Sequence, residues 1–175
     1  FHIQRVFNTS KLLLQHEEGD SLVVQLAALL HDIADPKFHN GDEQIGPQTA
    51  QDFLETQQVS HETTAHVVNI IRHMSFKNSL EQDGETFTSK EMDIVQDADR
   101  LDAIGAIGIA RAFNYGGFKN RELYNPAIPP NLNMTKEEYK KSKAPTINHF
   151  YEKLLLLKDG TVSYTHLTLP TNREV

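Results

Sequence analysis

Leu29-Leu30-His31-Asp32-Ile33-Ala34-Asp35-Pro36-Lys37-Phe38 is the stretch on which the fold of this chain turns. It closes an apolar run in which Leu22, Leu26, Leu29, Leu30 and Ile33 recur at helical spacing, on one broad face. The spacing predicts a helix over 22–33, with Gly19-Asp20-Ser21 as a stop followed by an N-cap. Pro36 ends it, because the proline ring disfavours helical geometry in the residue before it. His31 and Asp32 therefore stand at the end of an apolar helix. An imidazole nitrogen beside a carboxylate oxygen is half of a site for a divalent cation. Alone, such a pair is more often a dipole partner and cap, so the rest of the chain has to decide.

On either side the same period continues. Residues 3–14 carry Ile3, Val6, Phe7, Leu13 and Leu14 on a helical pattern. Residues 47–56 and 61–73 read as two more helices, the second capped at Ser60. Ser89 caps a helix expected to run over 90–113 and to stop at Tyr115-Gly116-Gly117. Three prolines make 125–133 an irregular connection, and a last helix is expected over 146–158. Residues 37–42 and 75–87 read as polar loops. No strand-like alternation, internal repeat or linker is visible. The expectation is an all-α bundle of about five to seven helices.

A length of 175 residues suits one domain with its own core. We expect that domain to span 1–158 and to be truncated at its N-terminus, because the chain opens at Phe1 with His2 immediately behind it. Beyond Lys158-Asp159-Gly160-Thr161 the sequence loses its helical period. From Val162 onward it resembles a translated sequencing-adapter stretch, so 159–175 is set apart as a foreign tail. A formal charge of −7 argues against a nucleic acid polymer as partner. No apolar run approaches the roughly 20 residues of a membrane span, so no membrane partner is expected. Without cysteine, disulfides and thiolate ligands are excluded, which fits a cytoplasmic protein. Oligomeric state is not legible.

Two distant places support the His31-Asp32 pair. His2 opens the first helix, with Arg5 one turn on. Gln96-Asp97-Ala98-Asp99-Arg100-Leu101-Asp102 sets three carboxylates in a helix otherwise lined by Ile94, Leu101, Ile104 and Ile107. Carboxylates there need a partner, either a cation or salt bridges to Arg100 and Arg111.

The order His2, His31-Asp32, then an aspartate in Ala98-Asp99-Arg100-Leu101 resembles the signature of the HD superfamily of metal-dependent phosphohydrolases. The words Phe1-His2-Ile3-Gln4-Arg5-Val6, the stretch quoted at the outset, and Ile70-Ile71-Arg72-His73-Met74-Ser75-Phe76 are similar to a bacterial subgroup of small stand-alone members. So are Gln96 through Gly105 and Ala110-Arg111-Ala112-Phe113-Asn114-Tyr115-Gly116-Gly117. The likeness runs through residues 1–158.

That resemblance implies an HD-domain helical bundle in which His2, His31, Asp32 and one aspartate of 97–102 hold one divalent ion. Mn is favoured among Mn, Mg, Co, Ni, Fe and Zn. Alignment on Ala-Asp-Arg-Leu favours Asp99, and helical geometry sets it with Ala103, Ala106 and Ala110. Asp97 is the alternative ligand, or a residue orienting a histidine from behind. The activity implied is hydrolysis of a nucleotide by metal-activated water, foremost as a nucleoside triphosphate pyrophosphohydrolase. A nucleotide phosphomonoesterase, or a catalytically silent nucleotide-binding or interaction module, stays open beside it. Lys37 and Arg5 are the cations expected to meet substrate phosphate. Asp35 either accepts the proton of the attacking water or holds Lys37. His73, one face with His66, either contacts phosphate or is structural. His16, His39, His61, His149 and His166 are expected at the surface. The Tyr115-Gly116-Gly117-Phe118 segment either lines the substrate pocket or is a simple helix cap.

Overall fold

Four of the described helices begin where a side chain satisfies an open backbone N–H group of the first turn. In the computed structural model, which describes residues 1–34, 36, 39, 41–75 and 87–162, Asp20 accepts from the amides of Leu22 and Val23 and starts α2, Ser21–Leu30. Ser60 accepts from Thr63 N to start α4, His61–His73, and Ser89 from Met92 N to start α5, Lys90–Ala103. The remaining helices are α1 (His2–Leu13), α3 (Ile45–Thr56), α6 (Ala106–Phe118), α7 (Lys136–Lys141) and α8 (Asn148–Glu152), with a 3-10 segment at Leu154–Gly160. Every regular element among the described residues is helical, and none is long and apolar enough to cross a membrane. Asp35, Lys37, loop residues 76–86 and tail residues 163–175 lie outside the described residues.

Helix α2 is the central element, in contact with α1, α4 and α5, while α3 packs on α4. Val24, Leu54, Val67, Ile70 and Ile94 are completely or almost completely buried between these helices. Burying each such side chain contributes about 1.5–3 kcal/mol. The expected buried face of α2 is off by part of a turn. Val23, Val24, Ala27, Ala28 and Leu30 are buried, whereas Leu22 and Leu29 are about half exposed. The helix is apolar nearly all round, so periodicity does not choose its inner face. The small Ala27 and Ala28 do, by letting three neighbours approach.

The helix expected over 90–113 is two helices. Ile104 is extended and Gly105 takes a φ of +88°, a left-handed conformation that favours glycine. A Cβ on Gly108 would lie 2.1 Å from the Ala103 carbonyl oxygen, so the chain can double back only with glycine there. The break ends the shared register of Asp99 and Ala103 with Ala106 and Ala110, and it swings Arg111 back toward the end of α5. Helix α6 also runs through the expected stop at Tyr115-Gly116-Gly117, reaching Phe118. Gly116 serves packing rather than capping: a Cβ there would meet Thr146 Oγ1 at 2.1 Å. The last helix, expected over 146–158, is short α8 followed by the 3-10 segment. That segment docks on α5: Arg100 donates to the Gly160 carbonyl and Val162 N donates to Asp97 Oδ2 at 2.9 Å. Thr161 is buried. The expected boundary after Lys158 thus falls inside a docked segment.

Candidate metal centre

Three helix ends meet at one point. His2 lies in the first turn of α1, His31 and Asp32 directly follow α2, and Asp99 stands on α5 near its C-terminal end. His31 Nδ1 donates to the Ala28 carbonyl at 2.9 Å, satisfying one of the open carbonyls of the helix end. A carbonyl only accepts, so Nδ1 carries the proton and His31 Nε2 keeps its lone pair. His2 Nδ1 faces Asp102 Oδ2 at 2.7 Å and is likewise the protonated nitrogen. The two Nε2 atoms then confront one another at 3.2 Å. Asp99 Oδ1 lies 3.3 Å from His2 Nε2 and 3.9 Å from His31 Nε2; Asp32 Oδ2 lies 3.4 Å and 3.7 Å from the same atoms.

Two imidazole lone pairs and two carboxylate oxygens at such distances repel unless a cation lies among them. Metal–ligand bonds of about 2.0–2.2 Å put adjacent ligand atoms about 3 Å apart, so the spacing fits a divalent ion. His2, His31 and Asp99 form a group able to hold one, with ligand atoms all within 4.8 Å of each other. When a proton is the cation instead, it rests on His2. The carboxylates of Asp32 and then Asp99 raise its pKa to about 9, with Asp102 adding to them against the opposing effects of burial and Arg111. Burial works against the Asp99 carboxylate, but its contact with His2 and the nearby His31 outweigh that and hold its pKa below the ordinary value.

Behind His2 sits a second charge cluster. Asp102, with only 4% of its side chain exposed, accepts from Arg5 Nε at 2.5 Å, Arg5 Nη2 at 3.0 Å and Arg111 Nη1 at 2.5 Å, besides His2. Burial opposes ionisation of Asp102, and the hydrogen bonds from Arg5 and His2 overcome it, leaving its pKa below the usual range.

The structure thus brings His2, His31, Asp32 and Asp99 to one point and sets Arg5 immediately behind them. Asp97 goes elsewhere: its buried carboxylate faces Val162 N and Arg100 Nη1. The role of orienting a histidine from behind, considered for Asp97, falls at His2 to Asp102. The helical period contained a signal for this. Asp99 and Asp102, three residues apart, lie about 60° from one another around α5, while Asp97 lies about 160° from Asp99. His73 Nδ1 donates to the Asn69 carbonyl at 2.9 Å; the His73 ring lies tilted against Phe87, and the His66 ring meets Phe87 edge to face. His16, His39 and His61 are exposed, His149 is half-buried against Tyr139, and His166 lies outside the described residues. Phe113, Asn114, Tyr115, Gly117 and Phe118 line a shallow depression of about 680 Å³, with Lys119 above the rings of Tyr115 and Phe118.

Known proteins resemble this chain over most of its length. The model of the HD domain matches residues 1–104. YpgQ of Bacillus subtilis is 35% identical over 158 residues, spanning 90% of this chain and 68% of that protein. A crystal structure of YpgQ in complex with ADP superposes with a TM-score of 0.70 at 33% identity, covering 98% of this chain and 79% of that one. An HD-superfamily hydrolase of Bacillus thuringiensis gives 0.68 at 40% identity, covering 98% and 77%. A Lactobacillus plantarum protein gives 0.81 at 38% identity, covering 98% and 78%.

Proposed function

The chain belongs to the HD domain family, and on that premise we propose that it is a divalent-metal-dependent phosphohydrolase acting on nucleotides, foremost on nucleoside triphosphates with release of pyrophosphate. One observation carries the reading: two imidazole Nε2 atoms, on rings whose Nδ1 atoms each face a hydrogen-bond acceptor, meet at 3.2 Å between two carboxylates. The relation to a B. thuringiensis hydrolase supports hydrolysis, and ADP on YpgQ supports a nucleotide as substrate.

His2, His31, Asp32 and Asp99 would hold the ion; their mixed nitrogen and oxygen donors are compatible with Mn, Fe, Co, Ni or Zn, among which Mn stays the favoured ion. A divalent ion in such a site polarises a phosphoryl oxygen and makes water acidic enough to attack near neutral pH. The chain's own residues do the remainder. Asp32 and Asp99, each about two-fifths exposed, face solvent and leave room on their side for a phosphate. Arg5, whose guanidinium is partly exposed and already oriented by Asp102, retains N–H donors to meet charge on a phosphoryl oxygen. Lys37, five residues beyond Asp32, would be the further cation, and Asp35 would either accept the proton of the attacking water or hold Lys37.

The test is hydrolysis of a nucleotide panel by metal-stripped protein with Mn, Co, Mg or nothing added back, quantifying phosphate and pyrophosphate separately. Metal-dependent pyrophosphate release that disappears in Asp32→Ala is the expected result. Orthophosphate from monophosphates would make it a phosphomonoesterase. Nucleotide binding without turnover under any metal would overturn the enzyme reading in favour of a binding module.

A further inference from the structure

We infer that Asp102 is a positioning residue for the metal centre: its buried carboxylate keeps the proton of His2 on Nδ1, so that Nε2 is free to ligate. The inference rests on His2 being a ligand, as proposed above, and adds what decides whether it can be one.

An ionised carboxylate only accepts hydrogen bonds. With Asp102 Oδ2 at 2.7 Å, an unprotonated Nδ1 would set lone pair against lone pair, so the proton stays there. Asp102 cannot swing away, because Arg5 from α1 grips both its oxygens and Arg111 from α6 grips Oδ2. Helices α1, α5 and α6 are thus tied together at the nitrogen opposite the ligand atom. A carboxylate behind a metal-bound histidine fixes ring orientation and strengthens the ligand.

The neighbourhood makes this carboxylate more than a helper. Arg111 Nη1 lies 3.2 Å from His2 Nδ1, and a guanidinium cannot accept. Without Asp102, the group left facing Nδ1 is a donor, which favours the other tautomer. The proton would move to Nε2, the atom required for the metal, and the charges of Arg5 and Arg111 would face the site without their counter-ion. Loss of Asp102 therefore damages metal binding through Arg111, an effect that ordinary loss of packing does not reproduce.

The experiment is calorimetric titration of Mn2+ into metal-stripped protein without substrate, with folding checked by circular-dichroism melting. Asp102→Ala is expected to bind Mn2+ about 10–100-fold more weakly than the unchanged protein. Adding Arg111→Met to Asp102→Ala should recover part of that loss. In a His2→Ala background, Asp102→Ala should have no further effect, since the ligand it positions is gone. An unchanged affinity in Asp102→Ala, or a penalty that persists undiminished in either second background, overturns the inference. If His2→Ala itself binds Mn2+ as tightly as the unchanged protein, the ligand assignment falls and this inference falls with it. Should Asp102→Ala fail to fold, Asp102→Asn goes through the same cycle, and a smaller but parallel loss is expected because its amide oxygen still accepts from Nδ1.

Discussion

Helix α5 carries two buried aspartates, Asp97 and Asp102, and each is paired with an arginine. Asp97 holds Val162 N, and its partner Arg100 also holds the Gly160 carbonyl, so this end of the cluster staples the closing 3-10 segment to the helix. Asp102 holds two arginines and an imidazole whose other nitrogen lies among Asp32, Asp99 and His31. Burial and ion pairing are alike in the two regions. What separates them is the partner that is not an arginine: a backbone amide at Asp97, and at Asp102 a histidine whose other nitrogen lies in a donor cluster. Buried charge marks a function only when one follows the network one residue further.

The contrast can be broken most violently at the donors themselves. Asp99→Ala, like Asp32→Ala, is expected to lower turnover by several orders of magnitude and to abolish Mn2+ binding seen by titration. One region further back, Asp102→Ala should cost the metal-affinity loss given above. Asp97→Asn should instead lower stability by roughly 1–3 kcal/mol in chemical denaturation, through the weakened grip on Val162, and leave Mn2+ affinity as it was. If Asp97→Asn weakened metal binding as much as Asp102→Ala does, the division drawn here would be wrong.

Proton linkage sharpens the same division. The pKa of His2 is raised in the metal-free folded state from 6.5 to about 9, so its charge stabilises the fold fully below pH 6.5 and the contribution is lost as pH rises toward 9. Thermal melts of metal-free protein should decline across that window, and His2→Ala should flatten the decline while Asp97→Asn preserves it. Binding a metal must displace that proton, so Mn2+ affinity should rise with pH over the same range. The smallest effect is expected far from both regions. Glu18 and Lys90 meet at 2.6 Å but are exposed, and Glu18→Gln should leave the melting temperature unchanged.

Much of this was legible before any coordinates. The caps at Asp20, Ser60 and Ser89, the absence of strand patterning, and the position of His31-Asp32 at the end of an apolar helix all follow from residue types at short separation. The break at Ile104-Gly105 was not read, although the glycines at 105 and 108 were visible, because an apolar period continues across it. Nor was Asp102, since its meaning comes from His2, Arg5 and Arg111 together.

Sequence by itself determined the helices as far as the start of α5, and which residue types were available to bind a cation, because caps, turns and periodicity act between residues a few positions apart. Only the tertiary structure decided which aspartate stands behind His2 and which staples the 3-10 segment. Those contacts join residues as far apart as 2 with 102 and 97 with 162. They are set by how α1, α5 and α6 pack, and a carboxylate carries no mark of the partner it will meet.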